Sequence, residues 1–323
     1  MPDIRDYEPL FGGWKIEEFL GKGTYGETYK ISKQNKNMGM TQYSAVKQIS
    51  ISNADLRRNS ELLNKVGSGV KAMQEMDESP HIVRIQDFET YNWIYGGGQD
   101  ILIRMELLTS LKSILESIID DGAKTMPIEE VRKLGIHICR MLEVCDKNNI
   151  IHRDIKPANI FRSEMGNYKL GDFGMARIMV EGQALTITGT LEYMAPEIYN
   201  NFGRYDKRVD IYSLGITLYY LLNGNKFPFE GEEHEESPIT RRIDGKEKLP
   251  MLDGEGISQE FAEAILKACA HNADDRFESA TLMREALEKE GESSGNVSQY
   301  YPSGRTHNLE ESRKRIEQYQ KYQ

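Results

Sequence analysis

The sequence predicts an α+β protein, with strands concentrated in its first third and helices dominating the rest. Three observations carry that prediction. Residues 14–31, WKIEEFLGKGTYGETYKI, alternate polar and apolar side chains on both sides of a glycine-rich turn, which is the period of two antiparallel, half-buried strands. Residues 128–148 place Val131, Leu134, Ile138, Met141, Leu142 and Cys145 at spacings of three and four, the apolar stripe of a long helix. Residues 209–222 are largely apolar, but Asp210, Ser213, Gly215 and Thr217 interrupt them, so they read as a helix buried in protein and not in lipid.

Taken in order, the first element is the glycine turn GKGTYG, with Leu20 before it and Thr28 after it. Gly21, Gly23 and Gly26 have the GxGxxG spacing, in which absent Cβ atoms let backbone amides approach phosphate oxygens. Residues 27–31 continue as a strand, whereas a dinucleotide-binding fingerprint needs a helix directly after the last glycine. A third strand, YSAVKQISI, carries Lys47 within apolar surroundings. Residues 53–76 should be helical, although Gly67 and Gly69 each weaken a helix interior by roughly 1 kcal/mol relative to alanine. Residues 81–88 and 100–106 read as paired strands joined through YNWIYGGGQD. Residues 111–119 form a short helix, His137 on the 128–148 stripe is a packed or exposed histidine rather than a ligand, and FRSEMGNYKLGDFG folds as a hairpin turning at Gly166-Asn167. The charge run EGEEHEES, 230–237, is a solvated loop. Residues 291–307 are a polar linker, and 308–323 carry i,i+4 opposite charges that favour a short helix with a thin apolar stripe.

Composition narrows the function classes. The chain has 323 residues, 39% hydrophobic and 28% charged, enough for one two-lobed domain. A net charge of −10 argues against a nucleic-acid binder and against anionic membranes. The three cysteines, Cys139, Cys145 and Cys269, build neither a disulfide framework nor a metal site, which fits a reducing cytoplasm. The N-terminus lacks the apolar core of a signal peptide, and no membrane span is expected.

The chemistry concentrates at residues 150–161, IIHRDIKPANIF. Pro157 forbids regular helix there, and a loop can present Asp154, Lys156 and Asn159 together. A second carboxylate, Asp172, follows in KLGDFG. Two acids, an amide and a lysine can hold Mg²⁺ and phosphate oxygens while one carboxylate accepts a hydroxyl proton.

HRDIKPAN, DFG at 172–174 and APE at 195–197 resemble the catalytic loop, metal loop and activation-segment end of protein kinases, here the eukaryotic-like, bacterial Hanks-type serine/threonine branch. The resemblance implies a bilobal domain over 14–290, with a β-rich lobe at 14–108, a helical lobe at 109–290, and an extension at 1–13. It implies ATP and Mg²⁺, with Mn²⁺ as a substitute, and protein serine or threonine hydroxyls as substrates. Asp154 would be the base, Lys156 would neutralise the moving phosphoryl group, and Thr190 would touch both. Asn159 and Asp172 would hold the metal. Gly21, Lys22, Gly23, Thr24, Tyr25 and Gly26 would cover the phosphates, and Lys47 would anchor them. Leu20, Thr28, Ala45, Met105 and Phe161 would enclose the adenine, whose edge would meet the Glu106 carbonyl and the Leu108 amide. His152, Arg153, Phe173, Glu197, Asp210 and Arg276 would be structural, Glu197 pairing with Arg276.

Thr186 and Thr188 are phosphorylation candidates, with Arg153 as the receptor of the added phosphate. One departure stands out. The family's helix glutamate, partner of the lysine, falls on Gly69 when Met73 takes the apolar position one turn later. Glu61 and Glu75 lie about 80° and about 120° away around that helix. A different register would give the role to Glu61, at the expense of placing Lys65 in the apolar slot. With Gly69 at the glutamate position, the Lys47 pairing would be absent, or made only when the helix shifts or an activating partner or second copy docks. A nucleotide-binding scaffold without transfer is the alternative function, and small-molecule phosphotransferases, which lack the APE and GTLEYM stretch, are a third class.

Overall fold

A computed structural model describes residues 2–23, 26–58, 62–93, 96–120, 122, 125–173, 191–200 and 205–289. The chain divides into a unit at 1–290 and a second at 291–323, the latter outside the described residues along with the expected linker and terminal helix.

Strands β1 (Lys15–Gly23), β2 (Gly26–Asn35), β3 (Met40–Ser52), β4 (Ile85–Asn92) and β5 (Gly98–Met105) form an antiparallel sheet in the order β1-β2-β3-β5-β4. The register sets Thr28 beside Lys47 and Lys47 beside Ile103, with Ala45 beside Met105. Gly26 is required by this sheet: a Cβ there would lie 1.9 Å from the Gln48 carbonyl oxygen. The expected strand at 81–88 begins later, at Ile85. Residues 81–83 instead bond to the other lobe, through Val83 N–H to the Leu170 carbonyl and Leu170 N–H to the His81 carbonyl.

One sheet face carries α2 (Leu62–Glu75), which packs Val66 and Val70 on Ile49, Ile51, Ile101 and Ile103. Residues 53–76 are helical in two described pieces, α1 (Asn53–Arg58) and α2, and α2 is formed despite its two glycines. Burial of its apolar face supplies what the glycines withhold. A second core gathers Ile4, Tyr7, Leu10, Phe11 and Trp14 of the N-terminal segment with Tyr29, Ile31, Val46 and Leu102 of the sheet. The Tyr7 hydroxyl donates to Asp100 Oδ2 at 2.6 Å, and Phe11 N–H donates to Glu89 Oε2 at 3.1 Å. The expected extension is thus part of the lobe's core.

After β6 (Thr109–Ser110) the chain is mostly helical: α3 (Leu111–Asp120), α4 (Ile128–Lys147), α5 (Pro196–Tyr199), α6 (Arg208–Leu222), α7 (Pro238–Asp244), α8 (Gln259–Ala268) and α9 (Ala280–Glu288). α4 buries the stripe read from its spacing, and α6 is buried nearly all round, as an apolar helix inside a large core must be. Strands β7 (Ile160–Arg162) and β8 (Tyr168–Leu170) make the expected hairpin, with β6 pairing β7. His137 packs on His81, ring centroids 4.3 Å apart. No helix among the described residues is long and apolar enough to cross a membrane.

Candidate active site

The loop at 150–159 hangs from the C-terminus of α4 and is held by α6. Asp210, in the first turn of α6, accepts the His152 amide on Oδ2 and the Arg153 amide on Oδ1, both at 2.7 Å. Burial pushes the Asp210 carboxyl up, and the adjacent His152 and Arg153 with their amide donors oppose that push. These bonds hold Arg153 at φ 70°, a left-handed conformation that costs a non-glycine residue of order 1–3 kcal/mol. His152 receives the Asp154 amide on Nδ1 and donates from Nε2 to the Gly171 carbonyl at 2.8 Å, which fixes its tautomer. Its ring meets Phe173 edge-on at 4.6 Å.

Pro157–Asn159 is one 3-10 turn, so the proline-blocked helix is indeed avoided. The turn carries Asn159 back to Asp154: Asn159 Nδ2 donates to the Asp154 backbone carbonyl at 2.8 Å and to its Oδ2 at 2.7 Å. Lys156 Nζ lies 2.9 Å from the same Oδ2. Asp154 is 4% exposed, and its other oxygen, Oδ1, is buried with no hydrogen-bond partner among the described residues. A buried acceptor left open is costly unless something else meets it.

The Gly171 amide donates to the Asn159 carbonyl at 2.9 Å, which sets Asp172 beside the loop. Asp172 has φ 62°, and its Oδ1 accepts Lys47 Nζ at 2.7 Å. Asp172 and Asn159 are hard oxygen donors of the kind Mg²⁺ takes, one or two protein ligands beside phosphate and water. The donor set and the open Asp154 oxygen therefore fit a Mg²⁺–nucleotide.

The Lys47 contact is the one expected if no acid of the following helix reaches it. Its carboxylate partner among the described residues is Asp172, not an acid of α2, and Glu75 pairs with Lys71 at 3.6 Å. Glu61 lies outside the described residues. Gly69 is buried one turn before Met73, and Met73 joins Phe173, Met105 and Phe161 around a small apolar cavity.

Leu20 is exposed on β1, and Lys22 pairs with Glu27 across the turn at 3.1 Å. Space lies open around the Cβ positions of Gly21 and, apart from the Gly26 carbonyl, of Gly23. Glu106 is held by its side chain, Oε1 accepting the Arg84 amide at 2.8 Å and Lys169 Nζ at 2.6 Å. Glu197 and Arg276 make a two-bond pair at 2.7 and 2.8 Å. Thr24, Tyr25, Gly174, Thr186, Thr188 and Thr190 lie outside the described residues. Burial pushes the thiols of Cys139, Cys145 and Cys269 up, the last to about 12, so none is a ready thiolate.

Two features escaped the sequence reading, the second despite a legible signal. Arg242, within RRID, has no local pattern that marks burial, yet it is buried against residues 191–194. The apolar residues at 4, 7, 10, 11 and 14 recur at three and four, a pattern that marks a packed face.

This fold and loop define the protein kinase domain, and the chain belongs to that family, whose model matches residues 14–289. Among its relatives are a probable serine/threonine-protein kinase of Clostridium perfringens, 29% identical over 283 residues (85% of this chain, 38% of the relative). Serine/threonine-protein kinase PknB of Mycobacterium leprae is 36% identical over 169 residues (50% of this chain, 26% of the relative). The dual specificity mitogen-activated protein kinase kinase hemipterous of Drosophila melanogaster is 30% identical over 263 residues (80% and 20%). The chain thus spans between a fifth and two fifths of the length of these relatives.

Proposed function

We propose that the chain is a serine/threonine protein kinase, moving the terminal phosphoryl group of Mg²⁺–ATP to protein hydroxyls. The observation that carries this reading is the open Asp154 Oδ1, beside an Oδ2 already engaged by Asn159 and Lys156. Asp172 and Asn159 would hold the metal of Mg²⁺–ATP, which when bound would supply the phosphoryl group and offset its charge, and Mn²⁺ has the same donor preference. Asp154 Oδ1 accepts the hydrogen bond of the incoming seryl or threonyl hydroxyl and takes its proton as that oxygen bonds phosphorus and ADP departs. Lys156 offsets negative charge on the group in transit, and Lys47 holds the nucleotide phosphates. Most of the rate gain comes from positioning and electrostatics, because the protein forms no bond to the phosphoryl group.

Within this reading the glycine turn covers the phosphates, with Thr24 and Tyr25 at its tip. Leu20, Thr28, Ala45, Met105 and Phe161 enclose the adenine, and the backbone of Glu106 and Leu108 meets its edge. Thr190 contacts Asp154 and Lys156, and phosphate on Thr186 or Thr188 is received by Arg153. The domain spans 14–290 and is followed by a linker and charged helix. Three thiols with no disulfide among them suit the cytoplasm. An intact Lys47, Asp154, Asn159 and Asp172 speak against a transfer-dead scaffold.

The test is incubation with Mg²⁺–ATP and a degenerate peptide mixture, followed by mass spectrometry. Phosphoserine or phosphothreonine should form and fall by about 10²–10⁴-fold in Asp154→Asn, the range for loss of a positioned base. Mg²⁺–ADP binding should survive. Nucleotide binding without any phosphorylated residue would instead establish the scaffold.

A further inference from the structure

We propose that Arg242 is a positioning residue for the peptide substrate, clamping the turn just before the Ala195-Pro196-Glu197 triplet, on which the acceptor segment would rest in the kinase reading that this builds on. Helix α7 is delimited by its own sequence. Ser237 caps it by accepting the Thr240 amide, Pro238 opens its first turn, and Gly245 ends it in the left-handed conformation. That places Arg241 and Arg242 in the last turn on different sides. Arg241 turns to the acidic run and pairs with Glu232 at 2.7 Å and Glu247 at 2.6 Å. Arg242 turns inward and is 3% exposed.

Its guanidinium meets no carboxylate among the described residues. Nη2 donates to the Leu191 carbonyl at 2.9 Å, and Nη1 donates to the Met194 carbonyl at 3.0 Å and to the Tyr212 hydroxyl at 2.6 Å. Leu191–Tyr193 is a 3-10 turn, closed by Met194 N–H on that same Leu191 carbonyl. The carbonyl that closes the turn and the carbonyl of the residue that follows it are thus held by one side chain from another element. A second anchor is aromatic: Tyr193 packs edge-on against Phe227 at 5.1 Å and Tyr220 at 6.4 Å.

The turn lies between residue 190 and the Ala195-Pro196-Glu197 triplet, and Glu197 is tied to Arg276. Tyr212 links the two clamps, since Arg276 stacks on its ring at 4.7 Å while its hydroxyl receives Arg242. A buried cation spent on neutral carbonyls is an expensive way to hold a surface turn. Its return is geometric precision where an extended substrate must be aligned with Asp154, and a 1 Å misplacement can cost about 10²-fold in rate.

The test compares wild type with Arg242→Ala, Arg242→Lys and Tyr212→Phe, using a degenerate Ser/Thr-centred peptide mixture and Mg²⁺–ATP. In Arg242→Ala, kcat/KM for peptide should fall by about tenfold or more, while KM for ATP stays within about twofold. Arg242→Lys should recover part of the loss, and Tyr212→Phe should lose least. If Arg242→Ala fails to fold, judged by loss of Mg²⁺–ADP binding, the two conservative variants decide. Equal losses toward peptide and ATP, or no loss toward peptide, would overturn the clamp while leaving the kinase reading intact. A wild type that transfers to no peptide overturns both.

Discussion

The two sides of the candidate site are held with unequal redundancy. On the large-lobe side, residues 152–159 are fixed by two amides on Asp210, by His152 on Gly171 and by Asn159 on Asp154, and the neighbouring segment is locked by the two-bond Arg276–Glu197 pair. On the small-lobe side, Lys47 meets one oxygen of one carboxylate, and that carboxylate belongs to the other lobe. The helix that packs behind Lys47 carries glycines where a tight anchor would place helix-forming or acidic side chains. In the proposed mechanism a substrate-aligning loop gains from rigidity, whereas a nucleotide-gripping lysine would exchange partners when phosphate arrives. The fold spends its buried bonds accordingly.

Breaking one pair on each side is the strongest way to challenge this comparison. Arg276 is fully buried, so Arg276→Met leaves Glu197 without its cation, a change that costs about 3–5 kcal/mol when a buried partner is stranded. Asp172 retains 20% side-chain exposure, so after Lys47→Met water can solvate it, and the cost should be about 1 kcal/mol. Nucleotide affinity should respond in the opposite order, weakening far more in Lys47→Met. Urea unfolding and Mg²⁺–ADP titration of the two variants provide the check. Equal destabilisation would mean the lobes are braced alike.

The seam between the lobes offers a smaller effect with a defined sign. His81 donates from Nδ1 to the Tyr168 carbonyl, and His137 accepts the Tyr168 amide on its own Nδ1. Burial lowers both histidines, His137 to about 3, with each other's proximity adding to the effect on His137. In the unfolded chain they titrate near the ordinary 6.5. Above that pH neither state binds the protons and stability is at its full value. As pH falls below 6.5, the unfolded state takes protons that the native state refuses, and His137 lowers stability by about 1.4 kcal/mol per pH unit, His81 adding in the same direction. His137→Asn preserves an acceptor for the Tyr168 amide and should remove about one proton from that slope between about pH 6.5 and about pH 5. Parallel curves for variant and wild type would exclude the mechanism.

Much of this architecture was legible in the chain because it rests on local chemistry. Proline at 157, the GxGxxG spacing and the periodic stripe of α4 each dictate a conformation without reference to distant residues. Asp210 and Glu197 were legible through resemblance, since their partners lie 58 and 79 residues away in sequence. Where the reading fell short, the deciding interaction was remote and its residue type ambiguous. An arginine in RRID looks the same whether it faces water or clamps carbonyls. Ile85 begins β4 late because residues 81–83 bond across the lobes, something no strand propensity encodes.

The smallest prediction sharpens the comparison from the weak side. Gly67 lies exposed in the interior of α2, with negative φ and no atom within 4 Å of the position a Cβ would occupy. Alanine there adds no clash and removes the backbone entropy that glycine loses on folding, so Gly67→Ala should stabilise the domain by about 1 kcal/mol. In a domain of this size that is about 2 °C in Tm. If α2 owes its weakness only to intrinsic propensity, peptide phosphorylation should change little while Tm rises. A rise in Tm accompanied by altered affinity for Mg²⁺–ATP would mean that the softness of α2 is itself part of how Lys47 is presented, and the inequality between the two sides would then be functional rather than incidental.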